Sequence, residues 1–138
     1  MKDKEKRNLK KELKAEADRL FHIACLKYWG NKCFFNDSEK KAYGHKDTTD
    51  SCHHFKPKGS HGNLRYVIDN GVPVCWPCHN KLEQVDFTMQ EDIVRKRGID
   101  WNDDLNELHK KGRKGSFQTI QYYEENIKRL KEYIDKEN

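Results

Sequence analysis

Two cysteines separated by two residues stand near the middle of the chain, in the segment Cys75-Trp76-Pro77-Cys78. A tight turn at this spacing directs both sulfurs to one Zn²⁺, which thiolates bind at roughly 2.3 Å in tetrahedral sites. A redox dithiol is the other chemistry that this spacing allows. We favour zinc, because the chain has further cysteines and too few apolar residues for a large core.

The pair supplies half of a tetrahedral site, so two more ligands are needed. Cys33 is the best third ligand, because it follows a predicted helix and precedes a loop long enough to fold back. Asn36 stands where a second cysteine pair of the same spacing would have its second thiol. For the fourth ligand we therefore favour Cys52, with His45 as the second choice. Cys25 is interpreted as a buried structural thiol, since free cysteine is among the most buried residue types.

A second group of residues able to do chemistry consists of His53, His54, Asn70 and His79. Adjacent side chains of a strand point to opposite faces, so His53 and His54 are expected to have different roles. One can bind a metal ion while the other faces a substrate. His79 directly follows Cys78, so the zinc-anchored turn would fix its position. Neutral imidazole is the commonest metal ligand in proteins, and it accepts a proton near neutral pH.

The composition limits the kind of protein that carries these residues. Hydrophobic residues make up 34% and charged residues 37% of the 138, against roughly 45–50% and about 25% in typical domains. We expect a single domain with a thin core, which a bound metal would supplement. No secretory signal or apolar stretch of roughly 18 residues is recognisable, so a cytoplasmic protein without a membrane partner is expected. In a reducing compartment the five cysteines favour metal ligation over disulfides.

The elements that position these residues begin with a long helix. Leucine and alanine recur three or four residues apart between residues 2 and 28, which predicts an amphipathic helix ended by Gly30. Two short β-favouring runs, residues 51–55 and 65–68, predict a two-stranded ribbon around a basic loop. The tract Asp69-Asn70-Gly71 is a turn signal, and residues 80–86 are predicted to begin a short helix.

Apolar periodicity predicts three further helices, over residues 89–97, 101–109 and 120–134. Gly98 would end the first of them, and Asn102 or Asp103 would be the N-cap of the second. Helices around a small ribbon give an α+β fold class.

The chain resembles the HNH endonuclease superfamily in the order and spacing of four features, namely Cys33, the segment 52–55, Asn70 and the segment 75–81. That family has an Asp-His or His-His pair on the first strand of a ββα-metal motif. It also has an Asn five residues before the first Cys of a CxxC pair, and a His directly after the pair. Asn70 and His79 stand at those offsets from Cys75 and Cys78.

The resemblance implies a role for each matched residue. His54 would be the general base that deprotonates the attacking water, and His53 and His79 would bind the catalytic metal ion. Asn70 would hold the turn and orient His54. Such an ion would stabilise the charge that develops on the scissile phosphate and the leaving 3′ oxygen. Mg²⁺ or Mn²⁺ is preferred on availability, with Zn²⁺ or Ni²⁺ as alternatives because imidazole suits the later transition metals.

The regions that flank the motif are similar to phage recombination nucleases of the NinG type. They comprise a basic N-terminal helix that leads to Cys33, the segment Leu64-Arg65-Tyr66, and residues 94–98 followed by Trp101. The resemblance divides the chain into an N-terminal helix (1–30), an HNH core with structural zinc (31–88) and a C-terminal helical extension (89–138).

The charge balance suits an anionic partner, since 28 lysines and arginines against 23 acidic residues give +5. Lys56, Lys58, Arg65 and Lys81 surround the motif and are predicted to contact DNA phosphates. The tryptophans are interpreted as packing residues rather than base-stacking platforms, because aromatic side chains supply much of a small core. They are Trp29, Trp76 and Trp101.

The leading hypothesis is a metal-dependent HNH DNA endonuclease of phage or mobile-element recombination, which acts on duplex or branched DNA with or without a recombinase partner. The alternative is a non-catalytic zinc module that binds DNA or a protein, in which His53 or His79 completes the zinc site and His54 is incidental. The sequence leaves the oligomeric state open.

Overall fold

The longest described element is helix α1, Asp3–Trp29, against which much of the remaining chain packs. The computed structural model describes residues 2–58, 61–84, 87–112 and 118–136. The other elements in these ranges are strands β1 (Cys52–His54) and β2 (Gly71–Pro73) and helices α2 (Trp76–Glu83), α3 (Phe87–Arg97), α4 (Ile99–Gly112) and α5 (Ile120–Asp135), with 3₁₀ turns at Gly62–Leu64 and Ile68–Asn70. Helices around an antiparallel two-stranded sheet make an α+β fold, as predicted.

Helix α1 is buried on one face of its second half. Its buried residues include Leu20, Phe21 and Ala24, whereas its first turns are exposed. The helix ends at Gly30, whose φ of +90° favours glycine and whose N–H donates to the Leu26 carbonyl at 2.9 Å. The helix predicted over residues 2–28 and its end at Gly30 are therefore confirmed.

Helix α5 lies against α1 and is secured at both ends. At its start the side chain of Thr119 accepts a hydrogen bond from the backbone of the first turn. At its end Lys27 Nζ donates to the carbonyl oxygens of Tyr133 and Ile134 in the last turn, at 2.8 and 3.0 Å, and the Lys136 N–H also donates to the Tyr133 carbonyl. Leu130 is fully buried between these ends. The helix predicted over residues 120–134 is confirmed.

The ribbon pairs β1 with β2, and its second strand lies later in the chain than predicted. The paired residues are Cys52 with Pro73, His53 with Val72, and His54 with Gly71. The predicted strand over residues 65–68 is wrong, because residues 65–67 connect the two 3₁₀ turns and Ile68 begins the second. Tyr66 in this segment is 1% exposed, and its hydroxyl donates to the Asp18 carboxylate at 2.9 Å. Burial of Tyr66 against α1 thus overrides the local β preference.

Gly71 allows the ribbon to lie directly on α1. A Cβ atom at this position would stand 2.3 Å from Cys25 Sγ and 3.3 Å from the Phe21 ring. Only glycine therefore permits this close approach of the strand to the helix. The backbone of the ribbon and the buried face of α1 are in direct contact here.

Two helix starts differ from those predicted. Helix α2 begins at Trp76 instead of residue 80, because Pro77 suits the first helical turn, where its missing N–H costs nothing. Helix α4 begins at Ile99, so Asn102 and Asp103 lie inside the helix and neither is its N-cap. Helix α3 ends before Gly98 as predicted. None of the described helices has an apolar stretch long enough to cross a bilayer.

Arg97 joins α1, α4 and the ribbon. Its guanidinium lies 3.6 Å from the ring centroid of Trp29 and 5.1 Å from that of Trp101, and it donates to the Gly71 carbonyl at 2.7 Å. The indole N–H groups of the same tryptophans donate to the carbonyls of Ile68 and Asp69. Trp29 and Trp101 are thus packing residues, as predicted, and they hold the turn that leads into β2.

The ion pair between Asp18 and Arg65 generates a prediction on acid stability. Partial burial opposes ionisation of the Asp18 carboxyl, but hydrogen bonds from Arg65 and Tyr66 outweigh it and lower the pKa. Because the folded-state pKa lies below the unfolded value, this stabilisation is present above the unfolded pKa and is lost as the pH falls through the folded one. We expect Asp18→Asn to reduce the free energy of unfolding at pH 7 by about 1–2 kcal/mol.

The same variant should lose less stability than wild type between pH 5 and pH 3, in urea denaturation followed by circular dichroism. Asp50→Asn, at an exposed carboxylate, is the matched control and should behave as wild type. If the free energy of unfolding fell equally for wild type and Asp18→Asn between pH 5 and pH 3, the assignment would be contradicted.

Candidate active site and metal centre

Three cysteines and one histidine converge at the start of α2. The sulfurs of Cys33, Cys75 and Cys78 and a ring nitrogen of His45 all lie within 4.8 Å of one another. Cys75 immediately precedes α2 and Cys78 lies in its first turn, so one helix end carries two of the sulfurs. Three thiolates and one imidazole are a donor set typical of structural zinc, and this cluster could hold such an ion.

Backbone N–H groups point at the sulfurs of this Cys₃His cluster. Ala42 donates to Cys78 Sγ at 3.3 Å, Cys75 donates to Cys33 Sγ at 3.3 Å, and Lys46 donates to Cys75 Sγ at 3.5 Å. Such bonds stabilise negative charge on sulfur, which is the form that binds a metal. The residues present therefore fit the structural zinc that the sequence predicts.

Asn36 sets the orientation of His45. The Nε2 atom of His45 lies 2.7 Å from Asn36 Oδ1, while Nδ1 lies 3.2 Å from Cys78 Sγ and 3.4 Å from Cys75 Sγ. Because the amide oxygen accepts, the proton belongs on Nε2, and the lone pair of Nδ1 is directed at the sulfurs. Asn36 stands where the sequence pattern would have a cysteine ligand. Its role in the structure is to orient His45, which is a possible ligand.

Cys52, our first choice for the fourth ligand, lies outside the Cys₃His cluster, and the choice is corrected to His45. The pleat of β1 turns Cys52 toward α1, where it is buried in one apolar cluster with Phe21 and Cys25. The Cys52 backbone N–H also donates to His22 Nδ1 at 3.0 Å. Cys25 is fully buried beside Cys52, outside the Cys₃His cluster, in agreement with its interpretation as a structural thiol.

The ribbon directs His53 and His54 to opposite sides. The His54 ring stacks on Phe21 of α1, with 4.6 Å between ring centroids and 14° between ring planes. The His53 ring faces His79 of α2, with 5.2 Å between centroids. The two histidines thus have different surroundings, which is the condition for the different roles expected of them.

A second group of possible metal ligands consists of His53, His79 and Glu83, each of which has a donor atom within 4.8 Å of the other two. His79 and Glu83 lie four residues apart on α2, with 3.2 Å between Nε2 and Oε1. Glu83 was not predicted from the sequence. The available signal was its spacing from His79, since residues four apart share one face of a helix.

An unpaired nitrogen in this His₂Glu group fits a metal ligand. His53 Nε2 is buried, and among the described residues it has no hydrogen-bond partner. Burial, with repulsion from His79 and His54, lowers the pKa of His53 to about 3, so the ring is neutral. Buried polar atoms nearly always have a partner, and a neutral imidazole beside a second imidazole and a carboxylate fits a divalent cation.

His54 is held as a neutral imidazole with a defined tautomer. Its Nε2 lies 2.9 Å from the Arg65 carbonyl oxygen, which only accepts, so the proton belongs on Nε2 and the lone pair on Nδ1. Burial lowers the pKa of His54 to about 4, although the bond to the carbonyl favours the charged form. The ring is therefore neutral at pH 7, which is the protonation state that a general base requires.

Asn70 holds the turn, as expected, but its side-chain hydrogen bonds go to Lys56 and Leu64 and not to His54. Its fully buried side chain accepts from the Lys56 N–H at 2.8 Å and donates to the carbonyls of Lys56 and Leu64, at 3.1 and 3.3 Å. These bonds fix the chain that follows β1 against the turn before β2. The Arg65 carbonyl bonds the His54 ring directly, so the expected orienting role of Asn70 can act only through the turn that it holds.

His54 and the His₂Glu group line one cavity of about 780 Å³. Of the four basic residues predicted to contact DNA, Lys58 lines this cavity. Lys56 lies over the Phe55 ring, and Lys81 donates to the Lys40 carbonyl at 2.7 Å. Arg65 is 14% exposed in its ion pair with Asp18, which leaves it little surface for DNA.

Most residues of both groups lie in a stretch that is similar to a known protein family. Residues 38–84 match the HNH endonuclease family model. This HNH segment contains His45, both cysteines of the CxxC pair, the ribbon and the His₂Glu group, and Cys33 precedes it. No curated protein and no solved structure matches the chain. The match supports the HNH superfamily for this segment of the 138-residue chain.

The choice between His45 and Cys52 as fourth zinc ligand is testable by a matched pair of variants. We expect His45→Ala to lower bound zinc below one equivalent and to reduce the melting temperature by about 10 °C, because metal binding contributes folding free energy. Cys52→Ala should retain one equivalent. Zinc is measured by atomic emission, and unfolding by calorimetry. Full zinc content in His45→Ala with loss in Cys52→Ala would reverse the assignment.

The role of Glu83 is testable with zinc-loaded protein titrated with Mn²⁺ in a calorimeter. Glu83→Gln removes the anionic oxygen while preserving size, and we expect a loss of Mn²⁺ affinity of about tenfold or more. Glu91→Gln, at an exposed carboxylate on α3, is the control and should bind as wild type. Equal affinities in both variants would remove Glu83 from the ligand set.

Proposed function

We propose that the protein is a metal-dependent DNA endonuclease that hydrolyses phosphodiester bonds. The observation that carries the proposal is the shared cavity, where a neutral, oriented imidazole lies beside a separate group of metal-binding side chains. Both lie within the segment that matches the HNH endonuclease model. Hydrolysis of a phosphodiester needs a base for the attacking water and charge stabilisation for the phosphate and leaving group.

His54 is the proposed general base. With Nε2 bonded to the Arg65 carbonyl, its Nδ1 takes the proton of the attacking water. Stacking on Phe21 and the carbonyl bond hold the ring in place, so little reorganisation is needed at the moment of reaction. Asn70 supports this arrangement indirectly, by fixing the turn whose carbonyl contacts the base.

His53, His79 and Glu83 are the proposed ligands of the catalytic cation. When bound there, a divalent cation supplies positive charge that stabilises the scissile phosphate and the leaving oxygen. Glu83 adds an anionic oxygen to two neutral imidazoles, a set that accommodates Mn²⁺ or Mg²⁺ as well as Zn²⁺ or Ni²⁺.

The non-catalytic zinc module loses its main support from this geometry. That alternative needs His53 or His79 to complete the zinc site, but His45 lies among the three cysteines. His53 and His79 stay together in a second group with Glu83. A second group of donors beside an oriented imidazole has no role in a module that only binds zinc.

We also propose that residues 1–30 and 89–138 are appendages of the HNH core, and that the protein serves phage or mobile-element recombination with a recombinase as partner. The support for this context is the resemblance of the flanks to nucleases of the NinG type. In the structure these flanks contact the core, through Asp18 to Arg65 and through Trp101 to the Asp69 carbonyl.

The nuclease proposal is tested with supercoiled plasmid in Mg²⁺ or Mn²⁺, against the same reaction without added divalent cation. We expect metal-dependent nicking by wild type and a loss of about 100-fold or more in His54→Ala, because general base catalysis typically contributes that much. His54→Gln is a second variant that fills more of the space that alanine leaves beside Phe21, so a loss of packing is not mistaken for a loss of the base. Both variants should keep their zinc and their melting temperature within a few degrees.

His109→Ala is the matched control, because His109 is a histidine whose partner is Asn63, outside the cavity. It should cut at the wild-type rate. Undiminished cutting by folded His54→Ala would remove His54 from the role of base. An absence of cutting by folded, zinc-loaded wild type in every metal would count against the nuclease itself.

A further inference from the structure

Two exposed aromatic side chains stand at the cavity that contains the histidines. Trp76 is 67% exposed and Phe87 is 70% exposed, although large apolar side chains of a small core are expected to be buried. Trp76 begins α2 and Phe87 begins α3, and both line the cavity. The expectation that Trp76 is a packing residue is therefore wrong.

We propose that Trp76 and Phe87 form a binding site for an unpaired nucleobase, so that the favoured substrate has an unpaired base next to the scissile phosphate. The proposal rests on the proposed nuclease function and specifies its substrate. It answers a question that the sequence leaves open, namely which form of DNA enters the cavity.

The position of Trp76 relative to the catalytic group supports this site. Its ring centroid lies 5.7 Å from that of His79, with 32° between the ring planes. A base on the exposed face of Trp76 would thus belong to a nucleotide adjacent to the phosphate that reacts. Phe87 lines the same cavity from the next helix, and Lys58 contributes a positive charge there.

The chemistry of these groups selects an unpaired base. Every nucleobase has an apolar π-face that stacks on aromatic side chains, and proteins that bind single strands combine such rings with basic residues. In an intact duplex both faces of a base are covered by its neighbours, so an exposed ring gains nothing from them. A gap, bulge or single strand frees one face and permits stacking on Trp76.

The inference is tested first by binding, with His54→Ala loaded with zinc and without added divalent cation, so that no cleavage intervenes. The probes are an intact duplex, the same duplex with a one-base bulge, and a single strand, each labelled for fluorescence anisotropy. We expect the bulged duplex and the single strand to bind about tenfold more tightly than the intact duplex.

Substitutions at Trp76 identify the ring as the cause. Trp76→Ala in the same background should remove the preference, and Trp76→Phe should restore most of it, because stacking needs an aromatic face. Tyr43→Ala is the control, since Tyr43 is fully exposed and does not line the cavity. Equal affinity for the three probes, or a preference that persists in folded Trp76→Ala, would overturn the proposal.

Cleavage by proteins with an intact His54 separates this inference from the nuclease proposal. If wild type cuts intact and bulged duplexes at equal rates, and Trp76→Ala slows neither, the base site is refuted while the nuclease stands. If nothing is cut but the preference dependent on Trp76 persists, the base site stands while the nuclease fails. Self-association dependent on Trp76, seen by sedimentation, would assign these rings to a second copy and overturn the proposal.

Discussion

A ribbon of three residue pairs carries both His53 and His54, and so short a ribbon is not stable by itself in water. Its position depends on what covers its two faces. Helix α1 covers one face through Phe21 and the close approach at Gly71. Helix α2 stands on the other side, with its start tied to the Cys₃His cluster. The geometry of the candidate active site is therefore set by the packing of two helices around one ribbon.

The different surroundings of the two histidines follow from the geometry of the same ribbon. Neighbouring residues of a strand face opposite sides, so one imidazole lies against α1 and the other against α2. Both are neutral because burial lowers their pKa values, but their partners differ. A backbone carbonyl fixes the tautomer of His54, whereas His53 Nε2 has no hydrogen-bond partner among the described residues and lies among possible metal ligands. One short strand thus carries both the proposed base and a proposed metal ligand.

Much of this arrangement could be predicted from residue spacing, because spacing fixes local geometry. Periodicity found α1, α3 and α5, and the CxxC pair located the start of a metal cluster. The second strand was misplaced because long-range burial of Tyr66 decides its segment. The choice of His45 over Cys52 as a possible zinc ligand depends on which way the ribbon faces. The place of Glu83 beside His79 depends on where α2 begins. Both are features of the tertiary structure, which local sequence patterns do not predict.

The contact between Gly71 and Cys25 has a consequence for how this sequence can evolve. A side chain at residue 71 would collide with the sulfur at residue 25, and the collision would push β2, and with it the paired β1, away from α1. Neither residue touches the cavity. Among homologous chains, a larger residue at position 71 should therefore occur only with a smaller one at position 25. This linked variation would preserve the geometry of the candidate active site, although neither residue lines the cavity.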